Sequence, residues 1–320
     1  MAPSIIPRSI REYVTGWGSR VVSRRFWRDV RLVRRGQRVD GVPRRRRRRD
    51  EVWVIAMVKN EADIIEAFVR HAFSQGCDRM LIMDNGSTDA TLAILECLAT
   101  QFPIHVGRDS EPRYLQDVKM SRLAALARRG GAGWVIPMDA DEFWFAPGGT
   151  VADFVRSGRA DRYRAFMYNG FPSAGTPQIE GPGPGLRVNR EADRTLSKQC
   201  ARTFPGLWIG MGNHWIAIPG LLEDGLRVLH LPWRSFQQYV GKVSVGAAAL
   251  ADARRPEEIG SHWRDQASLQ RDELRQRWRA LLDGADVPGL GWAPNPHAVI
   301  VDATSWRTWE DAMKALGIEG

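Results

Sequence analysis

Asp139-Ala140-Asp141-Glu142 directly follows an apolar run, Gly133 to Met138. A short apolar run bounded by Gly and acid reads as a buried strand. Carboxylates at i and i+2 beyond such a strand stand where open α/β sheets bind ligands. Hard oxygen ligands in that place suit a magnesium or manganese ion that carries phosphate groups. A turn-forming Asp is the competing use of so short a pattern. A calcium loop fails on spacing: counted from Asp139, the sixth residue is Trp144 instead of Gly and the twelfth is Thr150 instead of Glu. Two more polar stretches follow apolar runs upstream, Lys59-Asn60-Glu61 and Asp84-Asn85-Gly86-Ser87-Thr88-Asp89.

Regular elements must hold these residues. Val52 to Val58 is apolar throughout, the pattern of a strand buried on both faces. Asn60 is then placed to cap a helix whose Ile64, Ile65, Phe68, Val69, Ala72 and Phe73 share one face, with Gly76 as its end. Met80–Met83 is a second strand, and Ser87 or Thr88 is the expected cap of the next helix. Ile104–Val106 is a third strand, residues 114–129 a helix, and the run before Asp139 a fourth strand. Strands alternating with helices predict an α/β fold with a doubly wound, mostly parallel sheet. No Gly-x-Gly-x-x-Gly turn follows the first strand, and no phosphate-binding Gly-x-x-x-x-Gly-Lys motif occurs. Pyrophosphate must then be neutralised in another way, for which a carboxylate-held metal is available. Further on, a capped helix from Thr150, a strand at Tyr163–Tyr168, a Gly- and Pro-rich loop at 171–187 and short strands at 196–217 are expected. Val228–Pro232 reads as a strand end, 235–282 as helical and Trp306–Leu316 as an amphipathic helix.

The charge is very uneven. Residues 1–50 hold 16 Arg and no Lys against four acids, a net charge of +12, whereas the remainder is near neutral. Arg44 to Arg49 is unbroken, and such a block repels itself and seeks phosphate. A solvated tail is the plain reading of residues 36–50. Attraction to anionic lipid is the second reading. Ile10, Tyr13, Val14, Trp17, Val21 and Val22, interleaved with Arg20, Arg24, Arg25 and Arg28, would form a basic amphipathic helix, weakened by Gly16 and Gly18. Nucleic-acid binding is not expected, because no stacking or groove-reading element accompanies the charge. Cys77, Cys97 and Cys200 are odd in number and widely spaced, which argues against a disulfide scaffold or zinc site and fits a reducing compartment. Neither a signal-peptide apolar core nor an apolar stretch of spanning length is present.

The ordered motifs Met57-Val58-Lys59-Asn60-Glu61, Asp84 to Asp89 and Asp139-Ala140-Asp141-Glu142-Phe143 resemble those of family-2-like glycosyltransferases with a GT-A fold. The bacterial branch with KNE, DNGSTD and DxDEF motifs is the nearest resemblance. Gly212-Asn213-His214-Trp215 and the stretch His230 to Tyr239, followed by Lys242, are similar to that branch's C-terminal signature. The resemblance spans about 52–245. It implies a GT-A-like, Rossmann-like domain over 51–245, flanked by an Arg-rich arm over 1–50 and a helical extension over 246–320.

The resemblance also implies roles. Asp84 matches the acid that reads the nucleotide base, a carboxylate able to accept an imide N–H. Asp139 matches the acid facing ribose or metal, and Asp141 the metal ligand. His230 matches a late His ligand on manganese or magnesium. Lys59, Asn60, Glu61, Arg234 and Lys242 are candidate donor contacts, the last two for the diphosphate. Asn60 and Glu61 equally fit capping and first-turn uses, and Asp89 a helix N-terminus. The implied reaction moves a sugar, as a hexosyltransferase does, from a nucleotide sugar (UDP favoured) to a hydroxyl of a glycan or glycoconjugate, with inversion. Glu191, Asp193, His214 and Asp224 are the candidate bases for the acceptor proton. The cysteine usage and the charge of the arm, not the resemblance, set the expectation of a cytoplasmic protein, peripheral at the inner face of the membrane. A nucleotidyltransferase is the enzymatic alternative, disfavoured by the acidic, glycine-free loop after the first strand. A non-catalytic basic binding protein is the other, disfavoured by the intact Asp139 and Asp141.

Overall fold

The computed structural model describes residues 8–42, 44, 48, 50–243, 269–285, 287 and 290–319. Most of the Arg44–Arg49 run and residues 244–268 of the helical stretch expected over 235–282 lie outside the described residues. The four strands expected from the apolar runs are β2 (Val52–Val58), β3 (Arg79–Asp84), β4 (Ile104–Asp109) and β5 (Trp134–Pro137). They pair in the order β4-β3-β2-β5, all parallel. Successive side chains of a strand face opposite sides. Val52, Val54, Ala56 and Val58 pack on Ile65, Phe68, Val69 and Ala72 of α3 (Ile65–Ser74) and on Leu95 of α4 (Thr91–Leu98). Trp53 and Ile55 pack on Met120, Leu123, Ala124 and Ala127 of α5 (Gln116–Gly130) on the other face. Two covered faces explain the unbroken apolar run of β2.

Beyond β5 the sheet becomes mixed. After β6 (Glu142–Phe145) come β7 (Arg162–Phe171), β8 (Leu186–Val188), β9 (Ser197–Arg202), a hairpin of β10 (Trp208–Ile209) with β11 (Ile216–Ala217), and β12 (Leu222–His230). The order continues β5-β9-β7-β12-β6. Strand β9 is antiparallel to both β5 and β7, and β12 is parallel to β7. So β7 and β12 run the same way as β2–β5, and all their carboxyl ends share one edge. The helix expected from Thr150 is α6 (Val151–Ser157), with the Thr150 hydroxyl accepting from the Asp153 N–H.

The N-terminal arm forms α1 (Arg8–Val21) and α2 (Arg24–Gly36), and within the stretch expected to be a solvated tail, 36–50, residues Gln37–Val39 instead form β1, which pairs antiparallel with the edge strand β4. A side chain at Gly107 of β4 would meet the Arg38 carbonyl at 2.9 Å, so the added strand needs glycine there. The amphipathic pattern of α1 is partly spent on the protein itself. The Tyr13 hydroxyl donates to the Pro205 carbonyl (2.7 Å) and Trp17 Nε1 to the Gly206 carbonyl (2.7 Å), while Val14, Val21 and Val22 stay exposed.

The C-terminal segment also packs into the body. Residues 236–243 are helical, as is α7 (Arg271–Asp283), whose Leu274, Trp278 and Leu281 cluster with Phe171, Trp233 and Tyr239. Strand β13 (Val299–Val301) pairs with β8. Helix α8 (Trp309–Leu316) starts three residues later than expected, because Thr308 and Asp311 form a reciprocal cap there. The three cysteines are free, and no helix among the described residues is long and apolar enough to cross a membrane.

Candidate active site

The loops after β2 and β3 are laced together. Asn60 has left-handed backbone (φ 56°), its N–H donates to Ser87 Oγ (3.0 Å), and its Oδ1 accepts from the Thr88 N–H (2.8 Å). The Glu61 N–H donates to Thr91 Oγ1 (2.8 Å) and the Ala62 N–H to Asp89 Oδ2 (3.2 Å). Asn60 therefore does not cap α3, whose N-cap is Ile64, nor do Ser87 or Thr88 cap α4, whose N-cap is Ala90. Their polar groups satisfy the opposite loop instead. Asp89 accepts from the Thr91 N–H (3.0 Å) at the start of α4, the placement a helix dipole favours.

Asp84 ends β3 and is buried. Its Oδ2 accepts from the Ser87 N–H (3.2 Å), and its Oδ1 has no partner among the described residues. Beside it, Lys119 of α5 is wholly buried, ion-paired to Asp109 (3.0 Å) and bonded to Asn85 Oδ1 (3.2 Å). Burial lowers the Lys119 pKa, against the pull of Asp109. Lys59 lies at the carboxyl end of β2, half-buried.

Two ionic clusters occupy the edge beyond β5, β7 and β12. In the first, Lys198 of β9 bridges Asp139 (2.9 Å) and Glu142 (2.5 Å), and Asp139 Oδ1 accepts from Asn213 Nδ2 (3.1 Å). Burial drives the Glu142 carboxyl up, to about 8, against the attraction of Lys198. In the second, Asp141 Oδ2 meets Lys242 Nζ at 2.6 Å, with Arg234 Nη1 and His230 Nε2 each at 3.8 Å. Burial alone would raise the Asp141 pKa; Lys242, His230 and Arg234 outweigh it and hold the carboxylate well below the usual range. Arg234 is completely buried and forks onto Asp63 (2.8 and 3.0 Å) and Glu61 (2.5 Å). Burial pushes Glu61 up to about 7, opposed by Arg234.

His230 sits opposite Asn169 in the β12–β7 register. Its Nδ1–H donates to Asn169 Oδ1 (2.8 Å), which leaves the Nε2 lone pair facing Asp141. Burial lowers its pKa to about 4, so the ring is neutral at pH 7. Among the described residues, no group of three or more His, Cys, Asp or Glu side chains is arranged to hold a metal ion. The structure brings Asp141 and His230 together, and it turns Asp139 toward Lys198 and Asn213.

The expected bases separate. Asp224 lies near the start of β12, paired with Arg164 (3.3 Å). Six residues of strand put it about 20 Å from His230, on the opposite edge of the sheet. That corrects its candidacy: its sequence neighbourhood with His230 does not survive the extended strand between them. Asp193 is engaged in its own turn, accepting from the Thr195 N–H (2.8 Å) and hydroxyl (2.6 Å). Glu191 is exposed in the same segment. His214 donates Nδ1–H to the Ser197 carbonyl (2.9 Å), next to the Asp139 partner Lys198, leaving Nε2 as the basic nitrogen. Burial, then Lys198, lowers its pKa. Lys198, Asn169, Asp63 and Lys119 were not singled out from sequence; Asn213 stood inside a quoted motif, and Asp63 lies two residues past Glu61.

These shifts predict how the metal-free fold responds to pH. Glu61 and Glu142, raised from 4.5 to about 7 and about 8, lend stability at low pH and lose it as pH climbs through those values. His71 and His230, lowered from 6.5 to about 4, lend stability above 6.5 and lose it as pH falls. The two effects oppose each other at acid pH. Between about pH 6.5 and 8 the unfolded imidazoles shed their remaining protons, a smaller effect than that of the two carboxyls, which still hold extra protons in the fold. The urea midpoint in EDTA is therefore expected to decline between about pH 6.5 and 8, and Glu142→Gln to flatten the decline. A wild-type midpoint that rises over that window would mean both carboxyls are ionised in the fold.

Residues 53–170 match the family model described as glycosyl transferase family 2. No curated protein matches the chain. Among solved structures, the chain is similar to Staphylococcus aureus TarS 1-349 in complex with UDP-GlcNAc (12% identity, 73% of this chain and 72% of that one, TM-score 0.35). It is also similar to glucosyl-3-phosphoglycerate synthase from Mycobacterium tuberculosis with Mn2+, UDP and glucosyl-3-phosphoglycerate (13%, 65% and 81%, 0.32). A third is GalNAc-T7 with UDP, GalNAc and Mn2+ (11%, 71% and 56%, 0.34). Likenesses this slight carry nothing about substrate. The family match is different in kind, for it falls on the parallel block and the loops bearing Asp84, Asp139 and Asp141, and over those residues the chain is similar to glycosyl transferase family 2.

Proposed function

We propose that this enzyme transfers a hexose from a UDP-sugar to a hydroxyl of a glycan or glycoconjugate, with inversion at the anomeric carbon. The observation that carries the reading is Asp84 Oδ1, a buried carboxylate oxygen at the end of β3 with no partner among the described residues. A buried acceptor left unmatched is costly, and an imide N–H of uracil would satisfy it. Lys59 at the end of β2, with Lys242 and Arg234 across the same edge, supplies positive charge for the diphosphate.

A divalent ion fits part of this donor set. Asp141 and His230 would hold it, since the Asn169 bond fixes the imidazole tautomer whose Nε2 faces Asp141. One or two protein ligands suffice for magnesium when substrate phosphates complete the shell. Such an ion, when bound, neutralises charge on the leaving diphosphate. Lys242 sits against Asp141 and would yield to it or share the phosphates. Arg234 is held by Glu61 and Asp63 and offsets part of the negative charge that they and Asp141 place at this edge. His214 Nε2 is the proposed acceptor of the hydroxyl proton, because it is neutral and lies beside the Asp139 cluster. The net charge of residues 1–50 supports a cytoplasmic enzyme held peripherally at an anionic membrane face.

A thermal-shift panel of UDP-, GDP-, TDP- and CMP-sugars, with and without manganese, tests the donor. The expected result is stabilisation by the UDP-sugar, enhanced by the metal, and none by the CMP-sugar, because cytosine N3 carries no proton for Asp84. A response to CMP-sugar alone, or to no donor, would overturn the proposal.

A further inference from the structure

A cleft lies where α2 and α5 meet residues Phe204–Trp208. Its volume is about 400 Å³, in the range of small-molecule sites. The floor is apolar, with Phe26, Val30 and Val33 of α2, Val118 of α5, and Trp208. The rim is cationic: Arg34, Arg122, Arg128 and Arg129 line it, and no acidic residue does. Among the described residues, Arg122 Nε and Arg128 Nε are buried without a hydrogen-bond partner, while Arg122 Nη2 donates to the Gln37 carbonyl (3.5 Å). Burial, then Arg34 and Arg129, lowers the Arg122 pKa, as expected of cations crowded without neutralisation. Asp109, the nearby acid, is committed to Lys119.

The cleft opens beside an exposed apolar corner. Trp27 lines it, is 41% exposed, and donates Nε1–H to the Val21 carbonyl (2.7 Å) at the turn between α1 and α2. Val21 and Val22 at that turn are exposed, flanked by exposed Arg24, Arg25 and Arg28. Apolar tips among arginines are the surface composition of proteins that lie in a bilayer interface.

We propose that this cleft seats one anionic phospholipid, its phosphate on Arg34, Arg122, Arg128 and Arg129 and its acyl chain along Phe26, Val30 and Trp208, with Val21, Val22 and Trp27 entering the same leaflet. The seat gives the peripheral contact proposed above a specific site, and rests on no step of sugar transfer. Charge complementarity selects the occupant: unpartnered guanidinium N–H groups call for a phosphate, and the apolar floor calls for a chain attached to it.

The test uses the full chain and co-sedimentation with vesicles of phosphatidylcholine alone or mixed with phosphatidylglycerol, in low salt. Brominated acyl chains serve as quenchers of Trp fluorescence. Wild type should bind only the anionic vesicles and be quenched. Arg34→Glu with Arg129→Glu should weaken binding about tenfold or more, and Trp27→Phe should remove a large part of the quenching at saturating lipid. Replacing Arg44–Arg49 by Ser should weaken binding but leave the quenching of bound protein unchanged. Vesicle binding that survives both cleft variants with quenching intact, yet vanishes with the Arg44–Arg49 run, overturns the cleft and keeps the peripheral contact. Absence of anionic-vesicle binding in wild type overturns both.

Discussion

Asp141→Asn is expected to reduce sugar transfer, and hydrolysis of the donor in the absence of acceptor, by about two to three orders of magnitude. The carboxylate is buried and kept ionised by Lys242 at 2.6 Å and by Arg234 at 3.8 Å, with the neutral His230 ring at 3.8 Å beside it. An amide of the same shape leaves the packing unchanged but removes the negative charge in contact with Lys242. With it goes the negative half of the proposed ion site on His230. The fold should tolerate the change, because Arg234 keeps Glu61 and Asp63, and Lys242 is exposed enough to turn toward water. The check is initial rate at saturating donor and manganese alongside far-UV circular dichroism. A variant with wild-type turnover and an intact spectrum would remove Asp141 from the donor site.

Asp139→Asn serves as the contrast. Its carboxylate contacts Lys198, Asn213 and Gln116, and not the Asp141 cluster. If Asp139 acts by fixing Lys198 and the Gly212–Asn213 turn, its loss raises KM for donor or acceptor more than it lowers kcat. A collapse of kcat equal to that of Asp141→Asn would place both acids on the same ion after all.

What could be read from sequence follows from how local each feature is. The strands β2 to β5 were legible because a strand covered on both faces must be apolar at every position, and Val52 to Val58 obeys that without exception. The strand-end position of Asp139 and Asp141 follows from the same run. Capping was misread because the rule is local, whereas Asn60 and Ser87 satisfy each other across two loops 27 residues apart. Lys198 carried no signal at all: it lies 59 residues from Asp139 and becomes its partner only when β9 inserts between β5 and β7. Asp224 was misplaced because strand direction was unknown, and six extended residues carry it from one edge of the sheet to the other. The arm was underestimated for a physical reason as well. Its arginines dominate the composition, yet Val33, Gly36 and Gln37 are buried where α2 and β1 close the β4 edge.

Arg234→Gln is expected to destabilise the protein by about 3–5 kcal/mol near pH 8, the cost of stripping a buried charge cluster of its counter-ion. Three carboxylates depend on this one guanidinium: Glu61 and Asp63 by hydrogen bonds, Asp141 at 3.8 Å. Without it, Lys242 remains near Asp141, and Glu61 and Asp63 lose the cation they share. The deficit must then depend on pH in one direction. Glu61 already has its pKa raised to about 7 by burial, with Arg234 opposing the rise, so removing Arg234 moves it higher still. A carboxyl with a raised folded pKa is tolerated when protonated, so the penalty shrinks as pH falls through 7 toward 5 and is largest above it. Urea titrations of wild type and variant at pH 5 and pH 8 measure the difference. Arg234→Lys should recover only part of the loss, since a single ammonium cannot reproduce the fork onto Asp63 together with the bond to Glu61. An equal deficit at both pH values, or one below about 1 kcal/mol, would mean that water already reaches these acids and that the cluster is not the closed wall that the diphosphate reading of Arg234 and Lys242 requires.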